Sequence, residues 1–526
     1  RAELWHERAR LRSDADDPVG ALADASEAIR LAPFEAEYRA TRAKLLARDG
    51  RWAEVVADAT DGLAVSRRAD LYRLRAQARR AQGQLDQALA DADAALALGP
   101  TVEGHVERAW ARALKGDWAK MLEDADAAAR LQPGLPAAVL LQGIARRERG
   151  EWDQALNRFT EAIRLSPASA LAYLNRGRVQ AEKKAWGEAY ADLSRAIELD
   201  PELSEAYLQR GRVRTERGDL QGAMDDLSRA VAQQPRRPDG YVARALAYEK
   251  SGQAEPAASD AAVAAALGTR DPRAYLLLAR VDERRGAADA LLEHARRVLE
   301  LRPKDSEGLR LLARAHRARG EMAAALEALQ RAVDADPTDP LPVAERATLQ
   351  ISQKNFDAAA ADATRLVELQ PAAVQGYVLR AHARLLAGSL DDAGKDCEKA
   401  LSLQSQDATA LLVRARVNAK KGQVAAALND ARAAVKQAAS WSWAHATLAA
   451  VLFQSAGHEE AVKEASRAIA LAPADPEAYA TRGRAAFALR RYRSAAEDFD
   501  RAVALDPAMA KELAREIEDV KNRRGD

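Results

Sequence analysis

The chain has 526 residues, of which 48% are hydrophobic, 5% aromatic and 30% charged. Its formal net charge is +1, which argues against a general nucleic-acid or membrane surface, because such surfaces usually carry a strong basic excess. The single cysteine, Cys397, excludes an intrachain disulfide, and no apolar run approaches the ~20 residues that a membrane-spanning helix requires.

A small residue recurs through the chain at steps of 34 residues, with two steps of 33. We number the repeat so that this residue stands at position 8. Its fifteen occupants are all Ala or Gly: Ala9, Ala43, Ala76, Ala109, Gly143, Gly177, Gly211, Ala245, Ala279, Ala313, Ala347, Ala381, Ala415, Ala449 and Gly483. This regularity predicts an array of copied units that bury surface against their neighbours, and not a globule around one pocket.

The unit at residues 170–201 predicts two antiparallel helices. Tyr173 and Gly177 share one face of the first segment, and a turn is predicted at residues 183–186. Ala189 and Leu193 then recur at helical spacing in the second segment. Of the nineteen prolines in the chain, eleven fall at position 32 and five at position 1, where they end one helix or begin the next.

The unit resembles the tetratricopeptide repeat (TPR) family, which has an aromatic residue at position 4, small residues at positions 8, 20 and 27, and Pro at position 32. Position 4 here carries Trp5, Tyr72, Tyr173, Tyr207, Tyr241, Tyr275, Tyr377 and Tyr479. The resemblance covers residues 1–507 in fifteen units. It implies an all-α, right-handed superhelical solenoid of about fifteen helix–turn–helix units. Residues 508–526 are predicted to form a C-terminal capping (solvating) helix and tail, because the last repeat needs its open face covered.

One charge pair occurs together in eleven repeats. Position 7 is Arg and position 23 is Asp in the same eleven units, and neither occurs without the other. The exceptions at position 7 are Gln142, Leu278, Leu312 and Leu448. We interpret the pattern as a bidentate Arg–Asp bridge between the two helices of each repeat. Shared ancestry of duplicated units is the alternative interpretation.

Motifs for catalysis are missing from the sequence: it has no HExxH, no P-loop, no GxSxG and no Cys–His zinc spacing. The seven histidines are scattered, and the carboxylates repeat too regularly for one pair to stand apart as an acid/base dyad. The sequence therefore predicts no enzyme activity, no cofactor and no metal site.

The family resemblance implies that positions 2, 5, 9, 12 and 13 face a concave groove. The candidate partner-binding residues at or near these positions form three groups. The basic group is Arg280, Arg284, Arg310, Arg314 and Arg317, with Arg178 and Arg212 in earlier repeats. The first apolar group is Val106, Trp110, Leu114, Leu140 and Ile144, and the second is Trp443, Phe453 and Phe487. The basic group is expected to suit an acidic peptide segment, and the apolar groups are expected to supply binding anchors. A solvated charged face and an inter-repeat core are the respective alternatives.

The function that these features favour is a non-enzymatic scaffold whose groove binds a protein or an extended peptide. A second hypothesis is a regulatory or targeting segment of a larger chain that carries an enzyme domain, such as a kinase, a protease or a secretion component. A third is binding of an anionic polysaccharide or RNA, against which the near-zero net charge argues. A repeat fold does not by itself identify its partner.

Overall fold

The computed structural model describes residues 1–523, which contain thirty-two α-helices and no strand. The first thirty helices form fifteen consecutive antiparallel pairs, one pair for each predicted repeat. The chain divides into two compact units, Arg1–Thr269 and Arg270–Asp526. The prediction of an all-α solenoid of helix pairs is therefore confirmed, and the handedness of the superhelix stays a prediction.

The first unit contains repeats 1–8. Its helices are α1 (Ala2–Asp14), α2 (Pro18–Leu31), α3 (Ala36–Arg48), α4 (Trp52–Val65), α5 (Ala69–Ala81), α6 (Leu85–Leu98), α7 (Val102–Lys115), α8 (Trp118–Leu131), α9 (Pro136–Glu148), α10 (Trp152–Leu165), α11 (Ala170–Glu182), α12 (Trp186–Leu199), α13 (Ser204–Arg217), α14 (Leu220–Gln233), α15 (Pro238–Lys250) and α16 (Ala254–Ala266).

The second unit contains repeats 9–15 and the C-terminal helices. Its helices are α17 (Pro272–Arg285), α18 (Ala288–Leu301), α19 (Ser306–Ala318), α20 (Met322–Ala335), α21 (Pro340–Ser352), α22 (Phe356–Leu369), α23 (Val374–Leu386), α24 (Leu390–Leu403), α25 (Ala408–Lys420), α26 (Val424–Gln437), α27 (Ser442–Gln454), α28 (His458–Leu471), α29 (Pro476–Ala488), α30 (Tyr492–Leu505), α31 (Met509–Glu512) and α32 (Ala514–Arg523). Odd-numbered helices up to α29 are the first helices of their repeats, and even-numbered helices up to α30 are the second helices.

The two helices of a repeat approach through matched residues at positions 8 and 24. Where position 8 is Gly, position 24 is large: Gly143 faces Phe159, and a Cβ atom at Gly143 would lie 2.5 Å from the ring. Where position 8 is Ala, position 24 is Ala or Cys in all repeats except repeat 10, which has Ala313 and Leu329. A large side chain at position 24 is thus accommodated in the four repeats with Gly at position 8 by the missing Cβ at that position, as close packing requires.

The predicted Arg–Asp bridge is confirmed in all eleven repeats that carry it. In repeat 6, Arg176 donates from Nε and Nη2 to the two carboxylate oxygens of Asp192 at 2.7 and 2.8 Å. The position-23 aspartates are buried, whereas the arginines retain partial exposure. The bridge therefore ties the second helix to the first through a charge that has little access to water.

The same arginine also contacts the preceding repeat, a link that the sequence interpretation did not include. Its Nη1 donates to a side-chain oxygen at position 25 of the previous repeat. The pairs are Arg42–Ser26, Arg75–Thr60, Arg108–Asp93, Arg176–Thr160, Arg210–Ser194, Arg244–Ser228, Arg346–Gln330, Arg380–Thr364 and Arg482–Ser466. We call this arrangement of positions 7, 23 and 25 the polar ladder. It fixes the helix pair to its predecessor in these nine repeats.

First helices of successive repeats lie side by side through most of each unit, whereas the second helices make no comparable contacts in the described residues. The first helices therefore line the inner side of each unit. At the C-terminal end, α31 and α32 pack against α30, with Leu513 and Val520 buried. The single helix predicted after Pro507 is broken at Leu513, so the covering element consists of two short helices.

Candidate binding groove

First helices of repeats 13, 14 and 15 form a cavity of about 170 Å³. Eight of its lining residues stand at positions 2, 5, 9, 12 and 13, which the family resemblance assigns to the groove: Arg416, Ala419, Lys420, Trp443, Ala446, Ala450, Gln454 and Glu477. Equivalent positions recur with the period of the array. Regular packing of the helix pairs therefore brings these positions to one surface.

The walls of this cavity combine an aromatic ring with charges of both signs. Trp443 packs on His382 of repeat 12, with ring centroids 5.6 Å apart. Arg416 has only a loose contact with Glu477, at 3.8 Å from Nη2 to Oε2. Lys420 is exposed and forms no ion pair within residues 1–523. The arrangement offers a flat apolar surface beside weakly neutralised cations, which suits an aromatic or aliphatic side chain next to a carboxylate.

The imidazole of His382 is held neutral behind Trp443. Burial lowers its pKa from 6.5 to about 4, and the neighbouring charge of Arg416 acts in the same direction. Both causes disfavour the imidazolium form. His382 therefore serves as an uncharged aromatic support for the indole and adds no further positive charge to the cavity.

Acidification is expected to destabilise the second unit through His382. The unfolded side chain takes up a proton near pH 6.5, whereas the folded one does so only near pH 4, so stability falls as the pH drops across this window and levels off below it. The loss should be of the order of 2 kcal/mol after allowance for partial exposure. Urea unfolding of wild type and His382→Phe at pH 7 and pH 4.5 measures it. The Phe variant, which keeps the stack on Trp443, should lose this part of the pH dependence. An equal pH dependence in both proteins would contradict the assignment.

The predicted basic group in repeats 9 and 10 is largely neutralised by glutamates. Arg280 binds Glu307 at 2.6 Å. Glu345 accepts hydrogen bonds from Arg310 at 2.8 Å and from Arg314 at 2.7 Å. Arg314 also contacts a second carboxylate, that of the repeat-9 residue Glu283, at 3.0 Å. These arginines tie repeats 9, 10 and 11 together, so they do not form a free cationic surface.

Two members of the basic group remain available to a partner. Arg284 and Arg317 are exposed and form no ion pair within the described part of the chain. In the first unit, Arg178 lies near Arg147, which is buried and hydrogen-bonded to Asn175. Burial lowers the pKa of Arg147, and the charge of Arg178 lowers it further.

Arg212 of the next repeat is half-buried and already engaged with other residues of the protein. Arg178 and Arg212 lie on α11 and α13 of the first unit, whereas the basic residues of repeats 9 and 10 belong to the second unit.

The first apolar group contributes more to the core than to the groove. Leu140 and Ile144 are each only 8% exposed, and Val106 and Trp110 pack partly buried against the same core cluster. Ile144 is thus placed out of reach of a partner because the neighbouring helices cover it. Leu114, in contrast, is 58% exposed. Of this group, Leu114 and the partly exposed Trp110 are the residues that a partner can contact.

The second apolar group is also divided. Trp443 lines the cavity, whereas Phe453 packs against His458 with ring centroids 5.5 Å apart. Phe487 contacts Tyr492 edge-on and lies under the guanidinium of Arg523 from the C-terminal helix. The sequence interpretation did not include Lys420, Thr447 and Thr481 among the cavity residues. Lys420 could have been found, because it stands at position 13, which the family resemblance assigns to the groove.

Other kinds of site find little support in residues 1–523. No cluster of three or more His, Cys, Asp or Glu side chains is arranged to hold a metal ion, and every helix is too short or too polar to cross a bilayer. Cys397 is fully buried, and burial raises the pKa of its thiol to about 12, with the neighbouring Asp396 acting in the same direction. Its thiol is therefore protonated at neutral pH and packs as a small apolar side chain.

Comparison with known proteins agrees with the repeat pattern. A tetratricopeptide repeat family model matches residues 140–204, 186–240, 285–340 and 345–408, and a second tetratricopeptide repeat model matches residues 476–508. No curated protein matches the chain.

Similar solved structures include the Cut9–Hcn1 hetero-tetramer of the APC/C, with 16% sequence identity over 88% of this chain and 98% of that chain and a TM-score of 0.43. Yeast Tom70 matches with 16% identity over 74% of this chain and 96% of that chain, at a TM-score of 0.40. PilF of Pseudomonas aeruginosa matches with 19% identity over 39% of this chain and 94% of that chain, at a TM-score of 0.36. Fifteen helix pairs with the repeat signature, together with the family-model matches, establish that the chain belongs to the tetratricopeptide repeat family.

Proposed function

We propose that the protein is a non-enzymatic scaffold that binds a partner protein through an extended peptide segment in the groove of its first helices, centred on repeats 13–15. The observation that carries this proposal is the cavity formed by α25, α27 and α29. Three successive first helices contribute to it, so a peptide lying across them would contact several repeats at once. An extended ligand suits such a surface better than a compact one.

The side chains that line the cavity favour particular side chains in the central part of the peptide. Trp443 offers an aromatic surface, and Arg416 and Lys420 stand beside it with little neutralisation. Buried aromatic residues in a well-packed pocket supply most of the affinity in many interfaces. We therefore expect the bound segment to present an apolar side chain to Trp443 and a carboxylate to Arg416 or Lys420.

The proposal is tested by blocking the groove. Peptides that bind the full chain are first selected from a phage-displayed library of natural peptide segments. Their dissociation constants are then measured for wild type and for Ala450→Trp, which adds a large side chain on the cavity wall. We expect at least a tenfold loss of affinity, because the new indole occupies the space of the peptide side chain.

The matched control is Ala470→Trp, which places the same side chain on the exposed surface of α28 in the same repeat. This variant should bind the selected peptides as wild type does. Equal affinity of wild type and Ala450→Trp would refute groove binding at this site. Charge reversal of Arg284 and Arg317 provides a parallel test of the basic group, because neither residue forms an inter-repeat ion pair within the described residues.

A further inference from the structure

Four repeats lack the Arg–Asp pair of the polar ladder, and three of them form other polar contacts in its place. In repeat 5, Gln142 donates to Asp126 at 2.7 Å and so keeps the link to position 25 of the preceding repeat. In repeat 14, His445 takes the place of the missing arginine and contacts Glu464 at 2.6 Å. In repeat 9, His294 at position 23 contacts Asp282 at 2.6 Å. The polar groups at these interruptions are therefore satisfied within the protein.

Repeat 10 differs because no described residue replaces the lost groups. Leu312 stands at position 7, Ala328 at position 23, and Arg296 at position 25 of the preceding repeat. Position 11, which supplies a second arginine to the aspartate in several other repeats, is His316, and its ring contacts Glu321 at 2.6 Å. An open cavity of about 440 Å³ lies at this point, and all four of these positions line it. Its volume is within the range of ligand-binding pockets.

The cavity has an apolar floor and a charged rim. Leu299, Leu312, Ala324 and Ala328 form the floor, from helices α18, α19 and α20. On the rim, Arg296 of α18 and Arg331 of α20 are exposed and form no ion pair within residues 1–523.

The rim has fewer unpaired acidic side chains than unpaired basic ones among the described residues. Glu327 also lacks an ion pair within the described residues, whereas Glu300 is already bound to Arg297 at 2.5 Å. Among residues 1–523, two cations without an ion pair thus face one such anion, and the cations come from different walls of the cavity.

We propose that this gap in the polar ladder is a second docking site, distinct from the groove, for an acidic amphipathic segment of a partner protein. An aliphatic or aromatic side chain of the partner would enter the space that arginine and aspartate fill in other repeats. Carboxylates on either side of it would meet Arg296 and Arg331. Burial of the apolar side chain supplies affinity, and the two guanidinium groups select for acidic flanks.

The test uses a fluorescein-labelled peptide with one phenylalanine between two pairs of aspartates. Its dissociation constant is measured by anisotropy with the full chain, wild type and Leu312→Arg/Ala328→Asp. The double variant rebuilds the missing bridge and fills the cavity, so we expect binding to weaken at least tenfold. The same peptide with lysines in place of the aspartates should bind wild type at least fivefold more weakly.

A second variant, Arg296→Glu/Arg331→Glu, changes only exposed side chains and should also weaken binding at least tenfold. Its matched control is Gln330→Glu/Arg365→Glu, which alters the equivalent positions one repeat further along and should bind as wild type does. Unchanged binding by both cavity variants, equal affinity for the lysine peptide, or no saturable binding up to millimolar peptide would overturn the proposal. The groove variant Ala450→Trp should leave this binding unchanged. The proposal of this second site and the proposal of groove binding can therefore be refuted separately.

Discussion

Replacing Arg176 with leucine is expected to destabilise the first unit by about 3–5 kcal/mol, because it leaves the carboxylate of Asp192 buried without a cation. The side chain of Asp192 is only 9% exposed, and Arg176 is its single basic partner within residues 1–523. Long repeat arrays need not unfold in one step, so urea unfolding should be combined with hydrogen exchange of the amides of α11 and α12.

Two comparisons make this prediction specific. Arg210→Leu should cost clearly less, because Arg214 remains 3.0 Å from Asp226 and continues to neutralise it. The double variant Arg176→Leu/Asp192→Ala reproduces the natural pair of repeat 10 and should recover at least half of the loss, since no buried charge is left. A double variant as unstable as the sum of its two single variants would show that the bridge has no coupling energy.

The second large effect is expected at the crossing of α9 and α10. Phe159 is fully buried against Gly143, so Phe159→Ala should cost about 3–5 kcal/mol through the lost contacts and the cavity that remains. The change Gly143→Ala should have opposite signs in the two backgrounds. With Phe159 present it should destabilise, because the new Cβ overlaps the ring. With alanine at position 159 it should stabilise by about 1 kcal/mol, because alanine favours the helix over glycine.

This sign reversal is measured by thermal or urea unfolding of the four proteins in the cycle. Repeat 4 is the natural reference, since it combines Ala109 with Ala125 at the same two positions. If Gly143→Ala changed stability in the same direction in both backgrounds, the matched packing of positions 8 and 24 would not be a constraint on this repeat.

Periodicity made the fold predictable, because the helix pair is set by residues within one repeat. The Arg–Asp bridge was predictable for the same reason: its members are sixteen residues apart and occur together. The size match of positions 8 and 24 is also present in the sequence, because the two positions lie sixteen residues apart in the same repeat.

Contacts between repeats were not predictable in the same way. The glutamate that neutralises the basic group, Glu345, lies 35 residues from Arg310 and 31 from Arg314. Whether such residues meet depends on the stagger of one helix pair against the next, which the repeat period does not specify. The division of Trp443, Phe453 and Phe487 between the groove and the helix interfaces has the same origin.

The polar ladder has a consequence for how the array can change in length. Each joint needs one arginine and one hydroxyl, amide or carboxylate from the unit before it. Removing one whole period between Ser194 and Ser228 would present Ser194 to Arg244, and the same joint would form again. Repeats within an uninterrupted stretch are therefore interchangeable. Recombination between duplicated segments can add or delete one of them, and the new neighbours still form the same hydrogen bond. Repeats without the arginine, such as repeat 10, do not form this joint and so bound the stretches within which repeats are interchangeable.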